Sequence, residues 1–324
     1  MLPAFNYARP ESLKEVFREL KTTNAYVHAG GSDLLGCLHD KIFPAEKVVS
    51  LNALHDLKNI KKTDDGWLKV GALVSISTLA TEPDIIDRYP VLAEAAAEVA
   101  SPQLRNQGTL GGNLCQKPRC WYYRGEFDCI RKGGSTCYAV NGQNQFHCIH
   151  GGSACYIVHP SDVAPALVAL DAVVQISGAQ GERTLPVADL HVPPADNPLR
   201  ETYLEPGEVI TAVNIPAPAA GLRSSYRKVG ARQSWDFAVA GLALALVIDQ
   251  DRVTKVRIVL SGAAPIPWRS RDAEAVLKGQ RLTAETAAQA AEASVAKAKT
   301  LEHNAYKISM FKGLIQEQLL KQNG

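Results

Sequence analysis

Six of the seven cysteines of this 324-residue chain fall in one stretch: Cys115, Cys120, Cys129, Cys137, Cys148 and Cys155. Only Cys37 stands apart. Disulfide frameworks belong to small secreted domains short of a core, whereas this chain is long and 46% hydrophobic. Ligation of a soft metal is the better chemistry for such a density of thiols. Structural zinc sites pair ligands roughly two to four residues apart, and no C-x-x-C occurs; only Cys115 and Cys120 approach that habit. Widely spaced thiolates suit a four-iron cluster wrapped by its own loop. A zinc-stabilised binding module without a redox role and a set of buried free thiols are the alternatives. His147, His150 and His159 lie among the cysteines and are assigned no metal.

A second chemistry resides in two glycine loops. Ala29-Gly30-Gly31-Ser32-Asp33 follows a short apolar run, and adjacent glycines let successive backbone N–H groups converge on an anion. Ser32 can add a hydroxyl, and Asp33 can orient the loop or cap residues Leu34 to His39. Thr109-Leu110-Gly111-Gly112-Asn113 repeats the pattern with a hydroxyl, a glycine pair and an amide. Two such cradles suit a pyrophosphate. Neither loop has the G-x-G-x-x-G or G-x-x-x-x-G-K-[ST] spacing, which disfavours the doubly wound dinucleotide fold and the nucleotide triphosphatases.

The elements that must position these loops can be read from periodicity. Residues 11–22 carry a helical stripe of Leu13, Val16, Phe17 and Leu20, then 25–28 reads as a strand running into the first glycine loop. Residues 47–51 form another strand, and 59–72 a hairpin turning at Asp64-Asp65-Gly66. A helix over 89–100 leads to the second glycine loop. From 117 to 153 the apolar periodicity disappears, and a loop of that length inside a domain needs a reason. Residues 163–170 form a helix and 173–177 a strand. The runs 209–215, 224–229, 238–248 and 252–261 suggest one antiparallel sheet, followed by helices over 283–299 and 306–320.

Lys plus Arg number 35 against 33 Asp plus Glu, a net charge of +2, with no basic run to match a row of phosphates. Nucleic acid is not an expected partner. No run approaches the roughly 18–20 apolar residues of a membrane span, and Met1 to Asn24 lacks the blocks of a signal peptide, so a cytoplasmic protein with no membrane contact is expected.

Taken with Pro160-Ser161-Asp162, the order and spacing of the two glycine loops resemble the FAD-binding medium subunits of the xanthine oxidase family of molybdenum hydroxylases. The resemblance covers essentially the whole chain. It implies an α+β fold: a two-part FAD-binding domain (1–56 and 57–178, with 115–157 as an inserted loop) and a C-terminal antiparallel-sheet and helix domain (179–324). It places the first phosphate loop on Val27, His28, Ala29, Gly30, Gly31, Ser32, Asp33 and Leu34, and the second on Thr109, Gly112 and Asn113. Asp162 matches an acidic residue that holds the ribose, Ile210 falls near the adenine pocket, and Lys228 matches a lysine near the flavin.

Most members pass almost directly from the Gly-Gly-Asn to the counterpart of His159-Pro160-Ser161-Asp162. The Cys-rich insertion here, headed by Arg119-Cys120-Trp121-Tyr122-Tyr123-Arg124, resembles the branch whose flavin subunit also carries a [4Fe-4S] cluster. Within it, length and loop are most similar to the beta subunit of 4-hydroxybenzoyl-CoA reductase, and bacterial aldehyde oxidoreductases share the loop. The resemblance implies Cys120, Cys129, Cys137 and Cys155 as ligands, with Cys148 the rival and Cys115 and Cys37 uninvolved. It further implies an electron-transferring subunit with no catalytic residue of its own. Its partners would be a large subunit with the molybdenum cofactor, a small [2Fe-2S] subunit and an external carrier such as ferredoxin. Related aldehyde oxidoreductases, xanthine dehydrogenases and a free-standing flavin oxidase are the neighbouring possibilities.

Overall fold

The first glycine loop sits at the carboxyl end of a parallel strand, the usual place for a ligand in such sheets. In the computed structural model, which describes residues 1–322, β1 (Asn6–Ala8), β2 (Ala25–His28) and β3 (Lys47–Ser50) pair in parallel in the order β1-β3-β2. The crossover helix Leu13–Glu19 begins where the Ser12 hydroxyl accepts from the Glu15 N–H, and it buries Val16 against Val49 and Leu51. Helix Leu34–His39 leaves the loop and buries Cys37 and Leu38.

A five-stranded antiparallel sheet follows: β4 (Ile60–Lys62), β5 (Leu68–Gly71), β6 (Val173–Gly178), β7 (Gly181–Pro186) and β8 (Val209–Ile215), ordered β4-β5-β8-β6-β7. The β4–β5 turn falls at the expected place, with Gly66 at φ +82°. Here the structure corrects the sequence reading, which put residues 209–215 in the C-terminal sheet and ended the FAD-binding part at 178. Strand β8 lies between β5 and β6, and β7 also belongs to this sheet. Nearly every residue of β8 is buried, as a central strand requires. Neighbourhood in sequence gave no clue to that partnership. The long excursion between β5 and β6 carries short helices, among them Pro90–Ala97, Pro102–Gln107 and Leu110–Leu114, then the cysteine stretch and helix Val163–Ala169.

The last sheet, β9 (Leu222–Val229), β10 (Ala240–Asp249), β11 (Arg252–Ser261) and β12 (Trp268–Arg269), runs antiparallel in the order β12-β11-β10-β9. Strand β10 shows why it is buried on both sides. Leu242, Leu244 and Leu246 face a core shared with helices Arg271–Leu277, Ala284–Val295 and Tyr306–Lys321, while Ala243 and Ala245 face the core shared with Val163–Ala169.

The cysteine stretch contains only a four-residue helix, Trp121–Arg124, and one 3₁₀ turn, Ile130–Lys132. Distant partners fix it. The N–H groups of Ile149 and His150 donate to Ala263 O at 2.9 and 3.0 Å, and Lys299 N–H donates to Ile149 O at 2.8 Å. Asn304 Nδ2 donates to His147 O and Cys148 O at 3.2 and 3.0 Å, and Lys307 Nζ to Phe146 O at 3.2 Å. Among the described residues no helix is long and apolar enough to cross a membrane.

Candidate cofactor sites

A cleft of about 520 Å³ opens between the three parts of the chain. Val27 and Ala29 to Leu34 form one wall; Thr109, Gly112, Asn113 and Asp162 form another; Arg232, Trp235, Asp236 and Phe237 stand at its third side. Both glycines of the first loop are required sterically. A Cβ on Gly30 would lie 1.7 Å from Gln107 O, and Gly31 adopts φ +72°. In the second loop the Thr109 hydroxyl accepts from the Gly112 N–H at 3.2 Å, and Asn113 Oδ1 accepts from the Ser161 hydroxyl at 2.5 Å. That bond ties Asn113 to the Pro160-Ser161-Asp162 segment.

Asp33 caps nothing with its side chain. Instead it accepts from the Lys117 N–H at 2.7 Å, Arg119 Nη1 at 2.5 Å and Arg124 Nη2 at 2.7 Å. Burial alone would raise its pKa, but the two guanidiniums hold the carboxyl below the ordinary value. The clamp joins the first glycine loop to the head of the cysteine stretch. Asp162 accepts from Tyr226 Oη and Lys228 Nζ, both at 2.8 Å. Burial pushes its carboxyl up, and the Lys228 ammonium only partly opposes this.

Three residues expected at the cleft stand off its wall. His28 lies on the opposite side of β2 from Val27, and its Nε2 is the atom nearest a Cβ on Gly31, at 2.7 Å. Ile210 is in β8, 5% exposed and packed in the core of the middle sheet. Lys228 stands behind Asp162, where Nζ also donates to Glu98 O at 2.9 Å and Asp236 O at 2.8 Å. The sequence reading missed Tyr26, Phe43, Lys117, Arg119, Trp235 and Phe237, which line the cleft. Large aromatics in the polar run 231–237 were the available signal. Trp235 is 63% exposed, with the Arg232 guanidinium 5.3 Å from its ring centroid; Arg119 lies 5.2 Å from that of Phe237.

The cysteines separate into groups. Cys120, Cys129, Cys137 and Cys155 line one small pocket together with Tyr122, Tyr123, Arg131 and His147. Cys148 is buried outside that lining, Cys115 lines the cleft, and Cys37 packs in helix Leu34–His39. Within the pocket, Cys120 Sγ lies 3.3 Å from His147 Nε2. A hydrogen bond from Cys155 holds Cys137 down to about 6, and the same bond, with burial, pushes Cys155 up. Burial pushes Cys120 up to about 11. Among the described residues no three His, Cys, Asp or Glu side chains close on a point the size of a single ion.

The family described as the FAD binding domain in molybdopterin dehydrogenase matches residues 3–218, and the CO dehydrogenase flavoprotein C-terminal domain matches residues 224–322. The aldehyde oxidoreductase FAD-binding subunit PaoB of Escherichia coli is 38% identical over 281 residues, 85% of this chain and 86% of its own length. The carbon monoxide dehydrogenase medium chain of Hydrogenophaga pseudoflava is 29% identical over 300 residues, 91% of this chain and 87% of its own. A solved structure of carbon monoxide dehydrogenase from H. pseudoflava superposes with a TM-score of 0.76 at 26% identity, covering 98% of this chain and 96% of that one.

Proposed function

The chain belongs to the FAD-binding subunits of the molybdenum hydroxylase type of oxidoreductase, and from that premise we propose that it passes electrons between FAD and a [4Fe-4S] cluster of its own. Bound FAD can exchange two electrons with one partner and single electrons with another. The residues present fit it. Glycines 30 and 31 leave room for close backbone approach to a pyrophosphate, Thr109 and Asn113 face the same cleft, and Asp162, held by Lys228 and Tyr226, also lines it and would accept from a ribose hydroxyl. Arg232, Trp235 and Phe237 line the third side.

The observation that carries the cluster is the convergence of Cys120, Cys129, Cys137 and Cys155 on one pocket from positions up to thirty-five residues apart, with Cys148 outside it. Four thiols lining one pocket are the donor set of an iron–sulfur cluster. Large molybdenum-bearing and small [2Fe-2S] subunits complete the proposed complex in the cytoplasm, with a carrier such as ferredoxin outside it. The 38% identity to an aldehyde oxidoreductase subunit favours aldehyde oxidation as the reaction of the whole enzyme. Chain length and the cysteine loop favour, as a second reading, reductive dehydroxylation of 4-hydroxybenzoyl-CoA in aromatic degradation.

Iron and zinc analysis with visible and electron paramagnetic resonance spectra tests the cofactors. Serine at any of the four pocket cysteines should remove iron and leave FAD, whereas Cys148→Ser keeps both. A zinc-bearing, iron-free protein, or a cluster lost only with Cys148→Ser, refutes the assignment. Assays of the assembled complex with an aldehyde and with 4-hydroxybenzoyl-CoA separate the two reactions.

A further inference from the structure

Arg131 follows Cys129 in the turn Ile130–Lys132 and lines the pocket of the four thiols with a side chain only 2% exposed. One nitrogen is satisfied: Nη2 donates to Arg200 O at 2.9 Å. Nε lies 3.3 Å from Glu201 Oε1 without completing a hydrogen bond, and Nη1 has no acceptor. A buried guanidinium with two unpartnered nitrogens is costly, and it calls for an acceptor that the protein does not supply. The sulfurs of an anionic cluster are such acceptors, and hydrogen bonds to them, together with nearby charge, set cluster potentials.

We propose that Arg131 is the cationic partner of the cluster, donating to its sulfurs and raising its reduction potential, with Glu201 opposing it. This rests on reading the pocket as the cluster site. One electron, supplied by the flavin or the external carrier, adds one negative charge to the cluster with no bond made or broken; a fixed cation favours that state. Glu201 has a second tie. Its Oε2 pairs with Lys117, which lines the FAD cleft, so one carboxylate touches the cation at each centre.

The test is a redox titration of the intact complex, following the cluster by electron paramagnetic resonance. In Arg131→Gln the reduced-to-oxidised ratio at the original midpoint should fall about tenfold, equivalent to about 59 mV for one electron. Arg131→Lys should restore most of the shift, and Glu201→Gln should move the midpoint the opposite way. An unmoved midpoint in an iron-replete Arg131→Gln protein overturns the proposal. If that variant is iron-free, Glu201→Gln decides: a rise supports the proposal and no change refutes it. Absence of any cluster signal from the unsubstituted complex overturns the cluster reading and this inference together.

Discussion

At Gly31 a Cβ would stand 2.7 Å from His28 Nε2 and 3.0 Å from Leu35 Cδ1, on a backbone already at φ +72°. A β-branched residue there costs about 1–3 kcal/mol from conformation alone, and each 1.4 kcal/mol is about tenfold in binding. Gly31→Val should therefore weaken flavin binding about fivefold or more, read from visible absorbance per folded chain. Full flavin in a folded variant would discard this loop as the phosphate cradle. His191 is a different kind of residue, buried 4.0 Å ring to ring from His159, with Nε2 donating to Leu114 O at 3.0 Å. Burial drives its pKa from 6.5 down to about 4. The unfolded chain takes up that proton near 6.5 and the folded chain only near 4. Stability is therefore unaffected above the upper value and falls through the window below it, by about 3 kcal/mol at its lower end. His191→Gln keeps a donor for Leu114 and removes the titration, so its melting temperature should depend less on pH between 6.5 and 4. An acid slope identical to that of the unsubstituted protein would rule this out.

The cysteine stretch is an element without its own core, held by side chains that come much later in the chain. Asn304 is fully buried and spans two carbonyls of that stretch, while its Oδ1 accepts from the Leu301 N–H at 2.8 Å. Asn304→Ala strands both carbonyls at about 1–3 kcal/mol each. Amide exchange over 144–150 should quicken while helix Val163–Ala169 keeps its protection. Uniform protection over both segments would show that the pin is dispensable. This dependence also explains what the sequence could reveal. Strands 25–28, 209–215 and 252–261 have the bounds their apolar and β-branched runs indicate, because that signal is local. The helices Ile76–Thr81, Pro83–Arg88 and Pro102–Gln107 escaped notice because six residues are too few for a periodic stripe. The glycine loops and the thiols announce themselves by residue type. Arg131 and Lys117 do not, since their roles come from neighbours far away in sequence.

Across the whole molecule, Lys228 is one of the points where the C-terminal sheet grips the FAD-binding part. From β9 it reaches Asp162, the carbonyl of Glu98 at the end of helix Pro90–Ala97, and the carbonyl of Asp236 beside the cleft. The lysine and aspartate side chains are 6% and 4% exposed. Removing one member of so buried a pair costs about 3–5 kcal/mol, because the other charge is left alone. Lys228→Met should lower both denaturant stability and flavin content, and adding Asp162→Asn should recover stability by removing the stranded carboxylate. A double variant no more stable than Lys228→Met would contradict this account. The pins on the cysteine stretch impose an order on synthesis as well as on structure. The last cysteine of the pocket leaves the ribosome long before Asn304 and Lys307 exist. At about 5–20 residues per second the interval is on the order of ten seconds. Throughout it the stretch lacks these pins, so on the cluster reading proposed above the four thiols would take up metal only in the completed polypeptide, and a nascent chain stalled before its final helix would carry them unpinned.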